Sequence, residues 1–212
     1  MNQKTQDITR QSLIIITLVF TLVMNALANA LPLNNRTTGE ISDALPSFFT
    51  PAGFTFSVWS VIYLALIGFT IYQALPSQRD NSYMRRIGYL PAVANALNGS
   101  WVLAWHYAYY WLSVVIMVSL LATLLVIYIR LGIGLPLKTQ EERRWMNTLL
   151  VFFPFSIYFA WINVATVANI ASVANNAGWN GFGIAEPTWS GIMIGVVTLV
   201  ALVLLVSRAN LS

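Results

Sequence analysis

The sequence predicts an all-α fold, a polytopic transmembrane helix bundle, and its composition carries that prediction. Of the 212 residues, 58% are hydrophobic and only 8% are charged, whereas soluble domains carry about 25% charged residues. The apolar residues fall into runs of roughly 20, the length that an α-helix needs to cross a bilayer. The chain has no cysteine, which excludes disulfides, cysteine metal sites and thiol nucleophiles. No basic run is interleaved with exposed aromatic residues, so the expected partner is the lipid bilayer and no nucleic acid is expected.

The first apolar span covers residues 12–31 and follows a polar segment that contains Lys4 and Arg10. A cleaved signal peptide is the alternative, but the apolar stretch is longer than the usual h-region of about 7–15 residues. We therefore expect a retained helix. Four polar residues step by four along it and should face into the bundle: Thr17, Thr21, Asn25 and Asn29.

Five further spans complete the predicted single membrane domain, which extends over residues 1–212. The second span is 54–75, with Thr50-Pro51 as a helix start, after a loop over 32–50, and Pro76 as its end. The third is 87–107 and leads into an aromatic turn at 106–111, typical of a membrane interface. The fourth, 112–131, is almost purely aliphatic, so we expect it to face lipid. The fifth is 149–174 and the sixth is 189–206.

The basic residues predict the topology of these six spans. With a cytoplasmic N-terminus, only Arg36 among the basic residues lies outside, as the positive-inside rule asks. The inside residues are Lys4, Arg10, Arg79, Arg85, Arg86, Arg130, Lys138, Arg143, Arg144 and Arg208. Both termini are therefore predicted to be cytoplasmic.

Polar and aromatic residues inside the spans indicate a candidate site. Trp161, Ala165 and Asn169 fall at i, i+4 and i+8 of the fifth span, on one helical face. This face could line a ligand pocket, or it could be a helix–helix seam, since small residues and asparagine also mediate membrane helix packing. In the predicted topology these residues converge on the outer half of the bundle with Trp59, Tyr63, Asn98 and Trp101.

Three short motifs resemble the tryptophan-rich sensory protein (TspO/translocator protein) family. They are Phe-Thr-Pro-Ala-Gly-Phe-Thr-Phe-Ser-Val-Trp-Ser-Val-Ile-Tyr at 49–63, Leu-Asn-Gly-Ser-Trp at 97–101, and the Trp-x-x-x-Ala-x-x-x-Asn of Trp161, Ala165 and Asn169. The resemblance covers about residues 12–175. The chain departs from the family in its first loop, in the position of Pro154-Phe155, and in the extra sixth span.

The resemblance implies a five-helix TspO-like core, often a homodimer, to which this chain adds its sixth C-terminal helix. It also implies that the protein binds tetrapyrroles such as porphyrin or haem, in a bacterial inner membrane. By the same resemblance the ligand-binding residues are Trp59, Tyr63, Asn98, Trp101, Trp161, Ala165 and Asn169. No cofactor is required, and the tetrapyrrole would be a ligand.

Three functional classes stay open at this point. A sensor or receptor for a tetrapyrrole-like molecule is the preferred one. The alternatives are a transporter of tetrapyrroles or other hydrophobic ligands, and a light-dependent porphyrin-degrading enzyme. No catalytic or metal-binding residue is predicted: His106, the only histidine, is expected to be an interface residue, and no confident span contains an acid for a proton relay.

Overall fold

The computed structural model describes residues 2–31, 33–45, 55, 57–135, 145–185, 187–189, 191–193, 195 and 198. Within these residues all regular secondary structure is helical, which confirms the predicted all-α membrane bundle. The helices are α1 (Gln3–Ala30), α2 (Thr38–Ala44), α3 (Val58–Ala74), α4 (Ser82–Ile87), α5 (Leu90–His106), α6 (Tyr110–Leu131), α7 (Trp145–Asn147) and α8 (Phe153–Asn176). Most of the predicted sixth span, 189–206, and the Thr50-Pro51 helix start lie outside the described residues.

Five long helices form a closed ring. Around it the order is α1, α5, α6, α8 and α3, and α3 returns to α1. Three of the described helical segments are long and apolar enough to cross a membrane, namely Gln3–Ala30, Tyr110–Leu131 and Trp145–Asn176. Large apolar side chains such as Ile16, Leu64, Ile71 and Val115 are exposed on the outer surface of this ring, as expected for a surface that contacts lipid.

Long helices that follow one another in the chain run in opposite directions. Hydrogen bonds show this, because early residues of α1 pair with late residues of α3. Gln11 donates from Nε2 to the Gln73 carbonyl at 2.7 Å, whereas Thr21 donates to the Asn95 carbonyl of α5 at 2.6 Å. We call the end that carries α2 the outer end and the end that carries residues 75–89 the inner end, following the predicted topology.

The first helix begins earlier than its apolar segment, at Gln3, where the Asn2 side chain accepts a hydrogen bond from the Lys4 amide. The first polar residues of the chain are therefore helical and partly buried. The polar face of α1 is only partly inside the bundle. Thr21 is 1% exposed, but Asn29 is exposed, and among the described residues it bonds only to a carbonyl of its own helix. The expectation that Asn29 faces inward was wrong.

The fifth span contains a π-helical turn over Thr148–Phe152, between α7 and α8. Pro154 lies two residues after the end of this turn. In a regular α-helix its ring would collide with the carbonyl four residues earlier. A wider turn before the proline removes that collision, so the segment stays continuous from Trp145 to Asn176.

Candidate ligand-binding site

A small cavity lies near the outer end of the ring, between α2 and the outer parts of α3, α5, α6 and α8. Its volume is about 40 Å³, which is room for a few water molecules. The lining residues are Thr38, Ser42, Trp59, Trp101, Trp105, Met117, Trp161, Ala165, Ala168, Asn169 and Ser172. The cavity therefore contains five of the seven residues predicted for the site.

Two pairs of tryptophans form the walls of the cavity. Trp101 and Trp105 stand one turn apart on α5, so their rings stack with centroids 5.7 Å apart. Trp59 of α3 meets Trp161 of α8 edge to face at 6.0 Å. Ala165 lies one turn beyond Trp161, and its small side chain leaves space between the two pairs.

Three of these indoles have a buried N–H group without an acceptor. Trp101, Trp105 and Trp161 are 9%, 4% and 9% exposed, and none of their Nε1 atoms has a hydrogen-bond partner among the described residues. Buried indole N–H groups usually find a partner, since an unmade hydrogen bond costs about 1–3 kcal/mol. The residues that line the cavity therefore carry three donors without an acceptor.

Asn169 is held in place by the helix that we expected only to face lipid. Its Nδ2 donates to Ser113 Oγ of α6 at 3.1 Å, and Met117 of the same helix lines the cavity. The expectation for α6 was therefore wrong for one face, which is buried from Ser113 to Leu131. Ser113 and Met117 interrupt the aliphatic sequence of α6, and they could have indicated this buried face.

The other two predicted residues, Tyr63 and Asn98, lie outside the cavity in a separate polar cluster. Asn98 Oδ1 accepts from Asn25 Nδ2 at 3.0 Å and from the Tyr63 hydroxyl at 3.4 Å. Asn98 Nδ2 donates to the Tyr158 hydroxyl at 2.9 Å. We call these four residues the Asn98 cluster. It links α1, α3, α5 and α8, and both the oxygen and the nitrogen of the Asn98 amide have protein partners.

A loop was expected where α2 lies, so Thr38 and Ser42 were missed as lining residues. The helix has a capping box: the Thr37 hydroxyl accepts from the Glu40 amide at 3.2 Å, and the Thr37 amide donates to Glu40 Oε2 at 2.6 Å. The hydrogen bond from the Thr37 backbone, then that from its hydroxyl, lowers the pKa of Glu40. The Thr-x-x-Glu spacing at 37–40 is a known helix-start signal and could have predicted α2.

Two other features of the outer end lie outside the cavity. His106 is 2% exposed, and its Nδ1 approaches the Val102 carbonyl at 2.8 Å within α5; it does not line the cavity. In the loop after α8, Trp179 packs on Trp189 at 5.1 Å, and the described part of this loop does not line the cavity.

The chain matches the model of one protein family over most of its length. The family model described as TSPO-like protein matches residues 11–212. No curated protein and no solved structure matches the chain.

Proposed function

Because the chain belongs to the TSPO-like protein family, we propose that it is an integral membrane receptor that binds a hydrophobic small molecule in the outer cavity. The favoured ligand is a tetrapyrrole such as a porphyrin or haem. The protein would act as a sensor of that molecule.

The excess of indole donors is the observation that carries this proposal. Protoporphyrin and haem combine a flat apolar ring with carboxylate groups that can only accept hydrogen bonds when ionised. The stacked and edge-to-face tryptophans suit the ring, while the N–H groups of Trp101, Trp105 and Trp161 suit an acceptor on its edge. A helix–helix seam explains the small residues of α8 equally well, but it leaves these three donors without a role.

Binding of so large a ligand requires the cavity to widen. Ligand pockets usually measure about 300–1,000 Å³, well above the 40 Å³ present here. The cover on the outer side is α2, a helix of seven residues that contributes Thr38 and Ser42. We propose that the ligand displaces α2 and that this displacement is the signal.

The floor of the cavity favours a receptor over a transporter. Below it lies the Asn98 cluster, and below that the buried side chains of Phe69 and Phe155, each no more than 1% exposed. Passage to the inner end would have to break hydrogen bonds that join four helices. Displacing α2 breaks none of them.

The test is a titration of the purified protein in detergent with protoporphyrin and haem, followed by tryptophan quenching and the Soret band. We expect saturable binding that is weakened at least tenfold in Trp161→Ala, a loss typical of a large buried contact. Trp145→Ala, at the inner end and 69% exposed, is the matched control and should bind normally. Binding that is absent, or indifferent to Trp161, would contradict the proposal.

Hydrogen exchange tests the displacement of α2. The amides of Thr38–Ala44 should exchange faster once protoporphyrin is bound, while those near Tyr158 should stay protected. Saturable binding with unchanged exchange in α2 would show that the ligand enters elsewhere.

A further inference from the structure

A second concavity, at the inner end, is polar where the outer cavity is aromatic. It is an open groove between the start of α1 and the residues that precede α5, and its volume is about 380 Å³, within the usual range for ligand pockets. We call it the basic groove, and its polar lining residues are Gln3, Gln6, Asp7, Arg10, Arg85 and Tyr89.

Arg10 is buried in the wall of this groove with half of its guanidinium unused. The residue is 5% exposed, and its Nη1 donates to Asp7 Oδ1 at 2.7 Å. Its Nε and Nη2 are buried and have no acceptor among the described residues. A buried guanidinium without acceptors is costly, and the Nε–Nη2 edge is the one that binds carboxylates and phosphates through two parallel hydrogen bonds.

Asp7 alone does not balance the positive charge of the groove, because it pairs with both Arg10 and Arg85. Its Oδ2 accepts from Arg85 Nη2 at 3.1 Å, and the same Arg85 nitrogen contacts Asp80 at 2.6 Å. The side chain of Arg85 is 39% exposed, so it can still reach a group that arrives from solvent.

The surroundings of the groove are positive. Among the described residues, the inner ends of the helices carry six basic side chains against the two carboxylates Asp7 and Asp80; they are Lys4, Arg10, Arg79, Arg85, Arg86 and Arg130. The N-termini of α1 and α5 also lie at this end, and helix N-termini carry a partial positive charge. The groove therefore combines a positive field with a specific pair of unused donors.

We propose that the basic groove binds a phosphate group, with Arg10 as a bidentate donor through Nε and Nη2 and Arg85 as a second cation at the entrance. The phosphate belongs either to an anionic phospholipid headgroup or to a soluble phosphate compound. The site shares no residue with the outer cavity, so it does not depend on the function proposed there.

The experiment has one arm for each source of phosphate. In the first, the full-length protein is placed in nanodiscs of phosphatidylcholine with or without phosphatidylglycerol, and retained phosphatidylglycerol is measured by native mass spectrometry. In the second, the protein in neutral detergent is titrated with inorganic phosphate, and the thermal midpoint is followed by tryptophan fluorescence. Binding in the first arm alone assigns a lipid headgroup, and binding in the second alone assigns a soluble phosphate. Binding in both assigns the shared phosphate group, and binding in neither overturns the proposal.

Three variants test the geometry. Arg10→Gln removes the charge, and Arg10→Lys keeps the charge and the pairing with Asp7 but has no planar fork; we expect both to weaken binding about tenfold or more. Arg130→Gln is the matched control, because Arg130 lies at the same end, is exposed and does not line the groove. Arg10→Lys decides the question if Arg10→Gln fails to fold. Normal binding by Arg10→Lys, or equal weakening by Arg130→Gln, would show that general surface charge is responsible and would overturn the proposal.

Discussion

The outer cavity and the Asn98 cluster are neighbours with opposite states of hydrogen bonding. In the cavity, the indole N–H groups of Trp101, Trp105 and Trp161 have no acceptor among the described residues. In the cluster, the Asn98 side chain both donates and accepts, and it joins residues from three other helices. Both regions are buried and both were assigned to one site from the sequence.

This difference separates two roles for polar groups inside a membrane bundle. A polar group whose partners are all protein atoms fixes the positions of helices, and it gains nothing from a ligand. A buried donor without a partner is a cost that a ligand can remove. We therefore expect changes in the Asn98 cluster to alter stability, and changes in the cavity to alter affinity.

The largest expected effect is the loss of stability in Asn98→Leu. The substitution keeps the branched shape of the side chain but removes the hydrogen bonds that Asn98 makes with Asn25 and Tyr158, and we expect it to destabilise the protein by about 2–4 kcal/mol. The measurement is the free energy of unfolding in mixed detergent micelles, followed by tryptophan fluorescence.

Asn29→Leu is the matched control for Asn98→Leu. Asn29 is exposed and, among the described residues, bonds only to a carbonyl of its own helix, so its loss should change stability by less than about 0.5 kcal/mol. Equal effects of the two substitutions would mean that the Asn98 cluster does not hold the helices together.

Much of the fold could be predicted, because the apolar runs and the charge asymmetry are properties of the chain alone. Pro76 follows the last turn of α3 as predicted, and the Asn95–Trp105 face of α5 is buried. The position of α2 was missed, since its helix depends on a local capping box and not on a hydrophobic run. The burial of Asp7 and Arg10 was missed as well, because it depends on a partner 78 residues away, Arg85.

The candidate site was harder to predict, because residues on one helical face need not share one space. Trp161, Ala165 and Asn169 do line a common cavity, as their spacing indicated. Tyr63 and Asn98 are also an aromatic and an amide residue at similar depth, but Asn98 bonds to Asn25 and Tyr158, and Tyr63 bonds to Asn98. Spacing within one helix cannot show which neighbouring helix supplies a partner, so the two regions merged into one.

A second effect on stability is expected at Gly99, next to the Asn98 cluster. A Cβ atom there would lie 2.4 Å from a ring carbon of Phe20 on α1, so Gly99→Ala must displace the Phe20 ring. We expect a loss of about 1–3 kcal/mol in the free energy of unfolding, the usual result of overpacking.

Two further variants show whether the clash with Phe20 is the cause. Gly39→Ala meets nothing within 4 Å and should be neutral or slightly stabilising, since alanine is the better helix former. Adding Phe20→Leu to Gly99→Ala should restore part of the lost stability. Failure of this second change to help would locate the effect elsewhere.

In the cavity, Trp105→Phe should lower the affinity for ligand and leave the stability almost unchanged. It keeps most of the aromatic surface and removes a buried N–H that has no partner among the described residues, so stability without ligand should hardly change. Affinity for protoporphyrin should fall about fivefold to tenfold, the value of one hydrogen bond of roughly 1 kcal/mol. Trp59 lines the same cavity but has no such buried donor. Trp59→Phe should therefore lower affinity less. If Trp105→Phe binds normally but unfolds more easily, the indole is a packing residue like those of the Asn98 cluster.

The smallest expected effect is a pH dependence confined to α2, the cover of the cavity. The folded-state pKa of Glu40 lies below its ordinary value of 4.5, so its carboxylate stabilises α2 above that ordinary value. This contribution is lost as the pH falls through the lower, folded-state pKa. Hydrogen exchange in Thr38–Ala44 should therefore accelerate slightly in acid, beyond the intrinsic effect of pH, while the amides around Tyr158 keep their protection. Glu40→Gln retains a side chain that can complete the capping box but has no charge to titrate, so the acid effect should disappear. If acid loosened the Asn98 cluster as readily as α2 in the native protein, the two regions would not be energetically separate, and the contrast drawn between them would fail.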